Sequence, residues 1–332
     1  MQDGRAVRLQ DIAARVGLSR TAVSNAITGR GRVSPERREE IVRVAREMGY
    51  QPNAVARHLR GARTGMIALH LPPATTTLAY YVEATFGIVD AASERGLLVT
   101  LLPSATSRSA LLHLTVDGII LLDAVTGDPV STALLSGRVP VVTGEPSPPG
   151  LRGAAGVVTS DHAAAIGELL VHLERNGARR PALIVPDVRM SWCLAVATAF
   201  ESWCRAAGLE PRVVTLPHPA PAELLQRTAV ELVTADPPCD AVVAMSDGTA
   251  LSVLTGVEQA GLRAGSDVLV AACVDSEPLT YVHPSITAID LNPREFGRQC
   301  LLLIDRLIQG EQSPPPTLVP ISLRLRDSTR GR

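Results

Sequence analysis

The 332 residues are enough for two or three domains. With 46% hydrophobic but only 3% aromatic residues, the cores must be built mainly from Ala, Val, Leu and Ile. All 32 basic residues are arginine, which excludes lysine nucleophiles and Schiff bases.

The five cysteines (Cys193, Cys204, Cys239, Cys273 and Cys300) are odd in number and have no metal-ligand spacing. They fit reduced thiols in a cytoplasmic protein. The N-terminus has no apolar signal segment, and no apolar run approaches about 18 residues, so a protein neither secreted nor membrane-spanning is expected. The net charge of −1 hides an asymmetry: residues 1–63 carry 13 Arg against 6 acids, and residues 64–332 carry 19 Arg against 27 acids. A basic head on an acidic body is suited to a polyanionic partner.

Leu9, Ile12, Ala13 and Val16 recur at helical spacing and predict a first helix. Gly17 can supply the positive φ that ends it, and Ser19 then stands where a helix N-cap is wanted. In the second helix Ala22, Val23, Ala26 and Ile27 form the inward face, and Arg20, Thr21, Ser24 and Asn25 the outward one. Arginine can bond the O6 and N7 of guanine, and asparagine the N6 and N7 of adenine. Helix, glycine turn and capped second helix with a polar outer face form a helix-turn-helix pattern. A third helix begins at Ser34 with Pro35 in its first turn and buries Ile41, Val44, Ala45 and Met48 before Gly49 ends it. Pro52 stops continuation, and Asn53 can cap a short helix over 54–60, too short to be stable alone.

From Thr64 onward short apolar runs alternate with longer amphipathic ones. Strands are predicted at 66–71, 97–102, 117–122, 139–143, 181–185, 212–216, 240–245, 267–274 and 286–290. Helical patterns lie between most of them, at 80–96, 162–177, 192–208, 248–261 and 292–310. Such alternation means doubly wound parallel sheets, and about 265 residues exceed one such sheet.

The head resembles the headpiece of the LacI/GalR repressor family without a gap. DIAARVGLS, TAVSNAI, RVSPERRE, GYQPN and ARHLR carry the likeness. In the core it continues through VDGIIL, VPVV, ARRPALI, GLRAGSDVLV, PSITAIDLNPREFGRQCLLLIDRLI and LRLRDST. The resemblance implies an all-α helix-turn-helix headpiece with a hinge helix, then an α/β core of two doubly wound parallel-sheet lobes, like periplasmic sugar-binding proteins. The implied domains are a DNA-binding head at 1–52, a hinge at 53–63 and an effector-binding, dimerising core at 64–332. Lobe one would take about 64–160 and 290–318, and lobe two about 161–289 and 319–328.

The resemblance also implies roles. Arg20, Thr21 and Asn25 would read bases. Ser19, Ser24, Thr28 and Asn53 would contact the DNA backbone. Leu59 would wedge into the minor groove with Ala56 beside it. Arg8 stands where the family carries a Thr that caps the first helix; an extra phosphate contact would offset that loss.

In the cleft this chain departs from the family. Val196 stands for a sugar-gripping Arg, Ser246 for the Asn of an Asn-Asp pair, and Val274 for the first Asp of an Asp-Asp pair. Hydroxyl-rich ligands need matched partners, so a simple hexose is not expected. Polar candidates are Asp161, Asp187, Ser191, Ser246, Asp247 and Asp275, while Tyr80, Tyr81 and Trp192 could stack on a flat ligand.

No GxSxG, phosphate-loop, HExxH or CxxC motif occurs. An enzyme is therefore not expected, nor is a cofactor or metal. A solute-binding protein without a DNA role would not carry the headpiece. The chain ends without a heptad tail, which favours a homodimer over a tail-mediated tetramer. The reading is a cytoplasmic, nucleoid-associated transcription regulator, by default a repressor. It binds a pseudo-palindromic operator and answers to a small-molecule effector.

Overall fold

The computed structural model describes residues 7–27, 33–50, 63–72, 75, 78–102 and 114–331. Thr28, Asn53, Ala56 and Leu59 lie outside the described residues. The chain divides into two compact units, Met1–Thr64 and Gly65–Arg332.

The first unit contains α1 (Leu9–Val16), α2 (Arg20–Ile27) and α3 (Pro35–Glu47). Gly17 closes α1 in the left-handed conformation at φ 67°, which a side chain would strain. The Ser19 hydroxyl accepts from the Ala22 N–H at 3.1 Å and starts α2. The Ser34 hydroxyl accepts from the Arg37 N–H at 3.3 Å, with Pro35 following. Arg8 cannot cap α1, because a guanidinium has no lone pair to offer. The Asp11 carboxylate instead accepts from the Arg8 backbone N–H at 2.7 Å. Half of a capping box thus survives the loss of the hydroxyl.

Ile12, Val23 and Ile41, one from each helix, are fully buried against one another. Each contributes about 1.5–3 kcal/mol of transfer free energy. Arg37 of α3 donates to the Val16 carbonyl at 3.1 Å and satisfies one of the acceptors left open at the end of α1.

The second unit is built on two six-stranded sheets. In lobe one the strands are β1 (Met66–His70), β2 (Leu98–Leu102), β3 (Gly118–Leu122), β4 (Val141–Gly144), β5 (Gly156–Thr159) and β11 (Thr317–Leu318), in the order β11-β5-β4-β3-β1-β2. Lobe two holds β6 (Pro181–Pro186), β7 (Arg212–Leu216), β8 (Ala241–Ala244), β9 (Leu269–Ala272), β10 (Thr287–Asp290) and β12 (Ser322–Arg324), in the order β12-β10-β9-β8-β6-β7. Pairing is parallel throughout except where β12 runs antiparallel to β10. The interior strands of both sheets are buried along nearly their full length, as expected when helices cover both faces.

The helices of lobe one are α4 (Ala79–Glu94), α5 (Pro129–Leu135) and α11 (Pro293–Gln309). Lobe two carries α6 (His162–Arg175), α7 (Ser191–Ala206), α8 (Ala222–Thr234), α9 (Thr249–Gln259) and the short α10 (Pro278–Tyr281). The chain crosses between lobes after β5, after β10 and between β11 and β12. The helices α4 and α11 meet backbone to backbone. A methyl group at Gly87 would run into the Arg294 carbonyl, and one at Gly297 into the Ala84 carbonyl.

The closing LRLRDST segment seals lobe two. The Ser328 hydroxyl donates to the Val270 carbonyl at 2.6 Å and accepts from the Thr287 N–H at 2.9 Å. Arg326 grips Asp275 with two bonds of 2.8 Å.

Candidate functional site

Two surfaces carry chemistry, one in each unit. In the first unit α2 exposes Arg20 and Thr21 and leaves Asn25 half-buried. Ser19 is exposed and occupied as the helix cap. Ser24 departs from expectation: it is only 8% exposed, on the side of α2 that packs into the bundle. The outward face is therefore narrower than the sequence pattern suggests.

The second surface is a cleft between the lobes of the core, with an empty volume of about 540 Å³ including its mouth. Its walls follow one rule: nearly every lining residue lies just past the carboxyl end of a strand, where α/β sheets bind ligands. From lobe one come Leu78, Tyr80 and Tyr81 after β1, Asp123 after β3 and Glu145 after β4, while His162 follows β5 at the crossover. From lobe two come Val188, Met190 and Trp192 after β6, His218 after β7, and Ser246 and Asp247 after β8. Val274 and Leu291 follow β9 and β10.

Asp123 and Glu145 are set by backbone geometry. The Asp123 N–H still bonds the Gly144 carbonyl at 3.0 Å, and the Glu145 N–H the Val158 carbonyl at 2.7 Å. Both then turn into the left-handed region, at φ 52° and 67°. Such conformations in residues other than glycine cluster at functional sites. The Tyr81 hydroxyl donates to Asp123 Oδ2 at 2.7 Å. Glu145 accepts from Thr159 Oγ1 at 2.7 Å and from His162 Nε2 at 2.9 Å.

Asp123 is 5% exposed, and its Oδ1 has no hydrogen-bond partner among the described residues. Burial, then the nearby Glu145 charge, push its carboxyl up to about 7. Burial also raises the Tyr80 and Tyr81 hydroxyls and the Cys193 thiol, so all three stay protonated at neutral pH.

The aromatic rings pack across the cleft floor. Tyr80 meets Tyr81 edge-on at 5.1 Å, and His162 lies 5.8 Å from Trp192. The Tyr80 N–H donates to Asp247 Oδ2 at 3.3 Å and joins lobe one to lobe two.

Of the polar and aromatic candidates, Tyr80, Tyr81, Trp192, Ser246 and Asp247 line this cleft. Four others are placed elsewhere. Asp161 caps α6 by accepting from the Ala164 N–H at 2.9 Å. Asp187 is exposed beside β7. Ser191 opens α7 without lining the cleft. Asp275 is committed to Arg326. Val196 is buried in the lobe-two core, and α7 faces the cleft through Trp192 and Cys193. Sequence reasoning missed Asp123, Glu145, His162 and His218. The signal was present for two of them, since an acid directly follows the apolar strands of GIILLD and VVTGE.

Comparison with known proteins bears on both units. Residues 8–53 match the model of bacterial regulatory proteins of the lacI family, and residues 170–329 match a periplasmic binding protein-like domain. The chain is 31% identical over 337 residues to the HTH-type transcriptional regulator CelR of Thermobifida fusca, covering 96% of this chain and 97% of that one. A CelR–cellobiose complex superposes with a TM-score of 0.73 at 26% identity, covering 97% of this chain and 99% of that one. The lac repressor dimer bound to operator and the anti-inducer ONPF shares the fold, with a TM-score of 0.80 at 21% identity and 98% and 99% coverage. These relatives are regulators and not enzymes, and among the described residues no helix is long and apolar enough to cross a membrane. Full-length kinship to such a regulator, with a helix-turn-helix head and a two-lobed core, places this chain in the LacI family of DNA-binding transcription regulators.

Proposed function

We propose that the protein is a cytoplasmic repressor that binds a pseudo-palindromic operator as a homodimer and is controlled by a small molecule in the interlobe cleft. The observation that carries this reading is the Ser19-capped α2, whose free face presents Arg20 and Thr21 with Asn25 at its edge. Those three read base edges in the major groove. Ser19, with Thr28 and Asn53, contacts phosphates; Ser24, being buried, is left to the bundle. Ala56 and Leu59 enter the central minor groove.

Dimerisation is supported by an apolar stripe on α4. Val82, Phe86 and Val89 fall at i, i+4 and i+7 and are 39%, 50% and 40% exposed, and Leu98 and Leu101 of β2 are exposed as well. A monomer gains nothing by showing this face to water. The CelR relative is known in complex with cellobiose. In this chain the cleft wall is largely apolar and aromatic, and Val274 stands where the family carries an acid, so a simple hexose is not its ligand. Ligand closure of the cleft changes the spacing of the two hinges in the dimer and so couples the two sites.

The test combines a mobility-shift titration on a palindromic duplex with sedimentation, using wild type and Phe86→Arg. Two chains per duplex are expected for the wild type, and a monomer with much weaker operator binding for the variant. One chain per duplex, or unchanged affinity in a monomeric variant, contradicts the proposal.

A further inference from the structure

The polar inventory of the cleft is unbalanced. Among the described residues three carboxylates line it, Asp123, Glu145 and Asp247, and no arginine does. Two of the three are already engaged. Glu145 is held by Thr159 and His162, and Asp247 by the Tyr80 N–H. Asp123 is different. Tyr81 occupies one oxygen, while the other is buried and has no donor among the described residues. A buried acceptor without a partner is costly, and the residue that carries it lines the interlobe cleft. The surroundings are ring faces and aliphatic carbon: Tyr80, Trp192, Val188 and Met190.

Resting on the reading of this cleft as the effector site, we infer that the effector is a cationic nitrogen compound, an ammonium or amidinium group on a flat apolar body. The charged nitrogen docks on Asp123 Oδ1, and the ring system lies among Tyr80 and Trp192. A cation supplies the missing donor, neutralises a carboxylate that the site otherwise leaves unpaired, and gains further from aromatic faces. A sugar, by contrast, would present hydroxyls to a wall that is mostly carbon.

The protonation balance separates the two ligand classes. In the empty cleft Asp123 titrates at about 7. The other titratable groups around it are Tyr80 and Tyr81 of α4, Cys193 of α7, Cys300 of α11 and the Glu145–His162 pair. The hydroxyls and thiols are pushed up by burial and stay neutral near pH 7. A bound cation favours the carboxylate, so binding releases a proton and strengthens as pH rises through 7. A neutral ligand accepting a hydrogen bond from the protonated acid would take up a proton and weaken over the same range.

The experiment uses the full-length protein with matched probes: 2-phenylethylamine against 2-phenylethanol, tryptamine against tryptophol, and cellobiose. Thermal shift and calorimetry in two buffers of different ionisation enthalpy are read at about pH 6 and pH 8. The expected result is that an amine stabilises the core while its alcohol does not, with proton release. Affinity at pH 8 should be about tenfold that at pH 6, because an acid titrating near 7 is mostly protonated at the lower value. Asp123→Asn should melt cooperatively at or above the wild-type midpoint and keep operator binding, but lose the preference for amine over alcohol. Glu145→Gln should keep the preference for amine over alcohol and move the pH profile to lower pH, because a charge that raises Asp123 is gone.

No discrimination between amine and alcohol, discrimination that survives Asp123→Asn, or a pH profile that disappears only in Glu145→Gln would overturn the inference. If cellobiose or an alcohol binds and shifts operator affinity, the effector reading of the cleft stands and the cation falls. If an amine binds as described and no probe shifts operator affinity, the cation stands and the coupling falls.

Discussion

Helix α2, proposed to read DNA, and the interlobe cleft solve opposite problems with the same few residue types. On α2 the candidate groups lie close together in sequence, with Arg20 and Thr21 exposed. Their local structure is set by one cap and one glycine. In the cleft the groups come from loops spread between Leu78 and Leu291, and their charge is set by burial rather than by composition. Asp11 and Asp123 make the contrast concrete. Asp11 sits at a helix start and completes half of a capping box. Asp123 sits in a left-handed turn, 5% exposed, with its carboxyl pushed up to about 7. The same side chain is a structural cap in one place and a titrating group in the other, and solvent access makes the difference.

The largest expected effect sharpens the contrast from the side of the core scaffold. Gly297→Ala would drive a methyl group into the Ala84 carbonyl where α11 crosses α4. Overpacking of this kind costs about 1–3 kcal/mol, and more where backbone must move. The core melting transition should drop by several degrees, while operator binding at low temperature survives. An unchanged midpoint would mean that the two helices separate easily.

Next comes pH. The folded carboxyl of Asp123 titrates at about 7 against an ordinary value of 3.8. The folded state therefore holds its proton longer than the unfolded chain, and stability falls as pH rises from about 4 to about 7. The shift of about three units, at about 1.36 kcal/mol each, sets a ceiling near 4 kcal/mol. Asp123→Asn removes this loss but leaves an amide to be satisfied, so a gain of about 1–3 kcal/mol at pH 8 is expected and little change at pH 4. Denaturant unfolding of both forms at the two pH values measures it. Equal stability at pH 8 would mean that the carboxyl is ordinary.

The smallest effect lies in the head. Ser19→Ala removes the acceptor for the Ala22 N–H and should cost about 1 kcal/mol of head stability. Followed by helix content on warming, no loss would show that α2 does not depend on its cap.

How much of this was legible from sequence follows the same division. The three head helices, their caps and their buried stripe were readable because each signal acts over three or four residues: Gly17 as a stop, Ser19 and Ser34 as caps, Ile12 and Ile41 as core. The nine strands of the core were readable as apolar runs. The strands β5, β11 and β12 were not, since they lie in stretches without an apolar run of five or more residues. In the cleft, Tyr80, Tyr81, Trp192, Ser246 and Asp247 could be located by their place after strands or at helix starts. Asp161 and Asp275 looked equivalent, but their partners differ: one caps its own helix α6, and the other pairs with the distant Arg326. Val196 lies one turn along the same face of α7 from Trp192 and Cys193 and is buried in the lobe-two core, a depth that only packing shows. For Asp123 and Glu145 the acid after each apolar strand was visible, but the left-handed turn that buries it was not.

The most direct test of the regulator reading is selection of binding sites from random DNA by the full-length wild type and by Asn25→Ala. The account predicts an enriched pseudo-palindrome for the wild type. For the variant it predicts the same half-site spacing with selectivity relaxed at one base pair per half-site, a loss of about 1–3 kcal/mol there. A site without two-fold symmetry, or a variant that enriches the wild-type sequence unchanged, would contradict it.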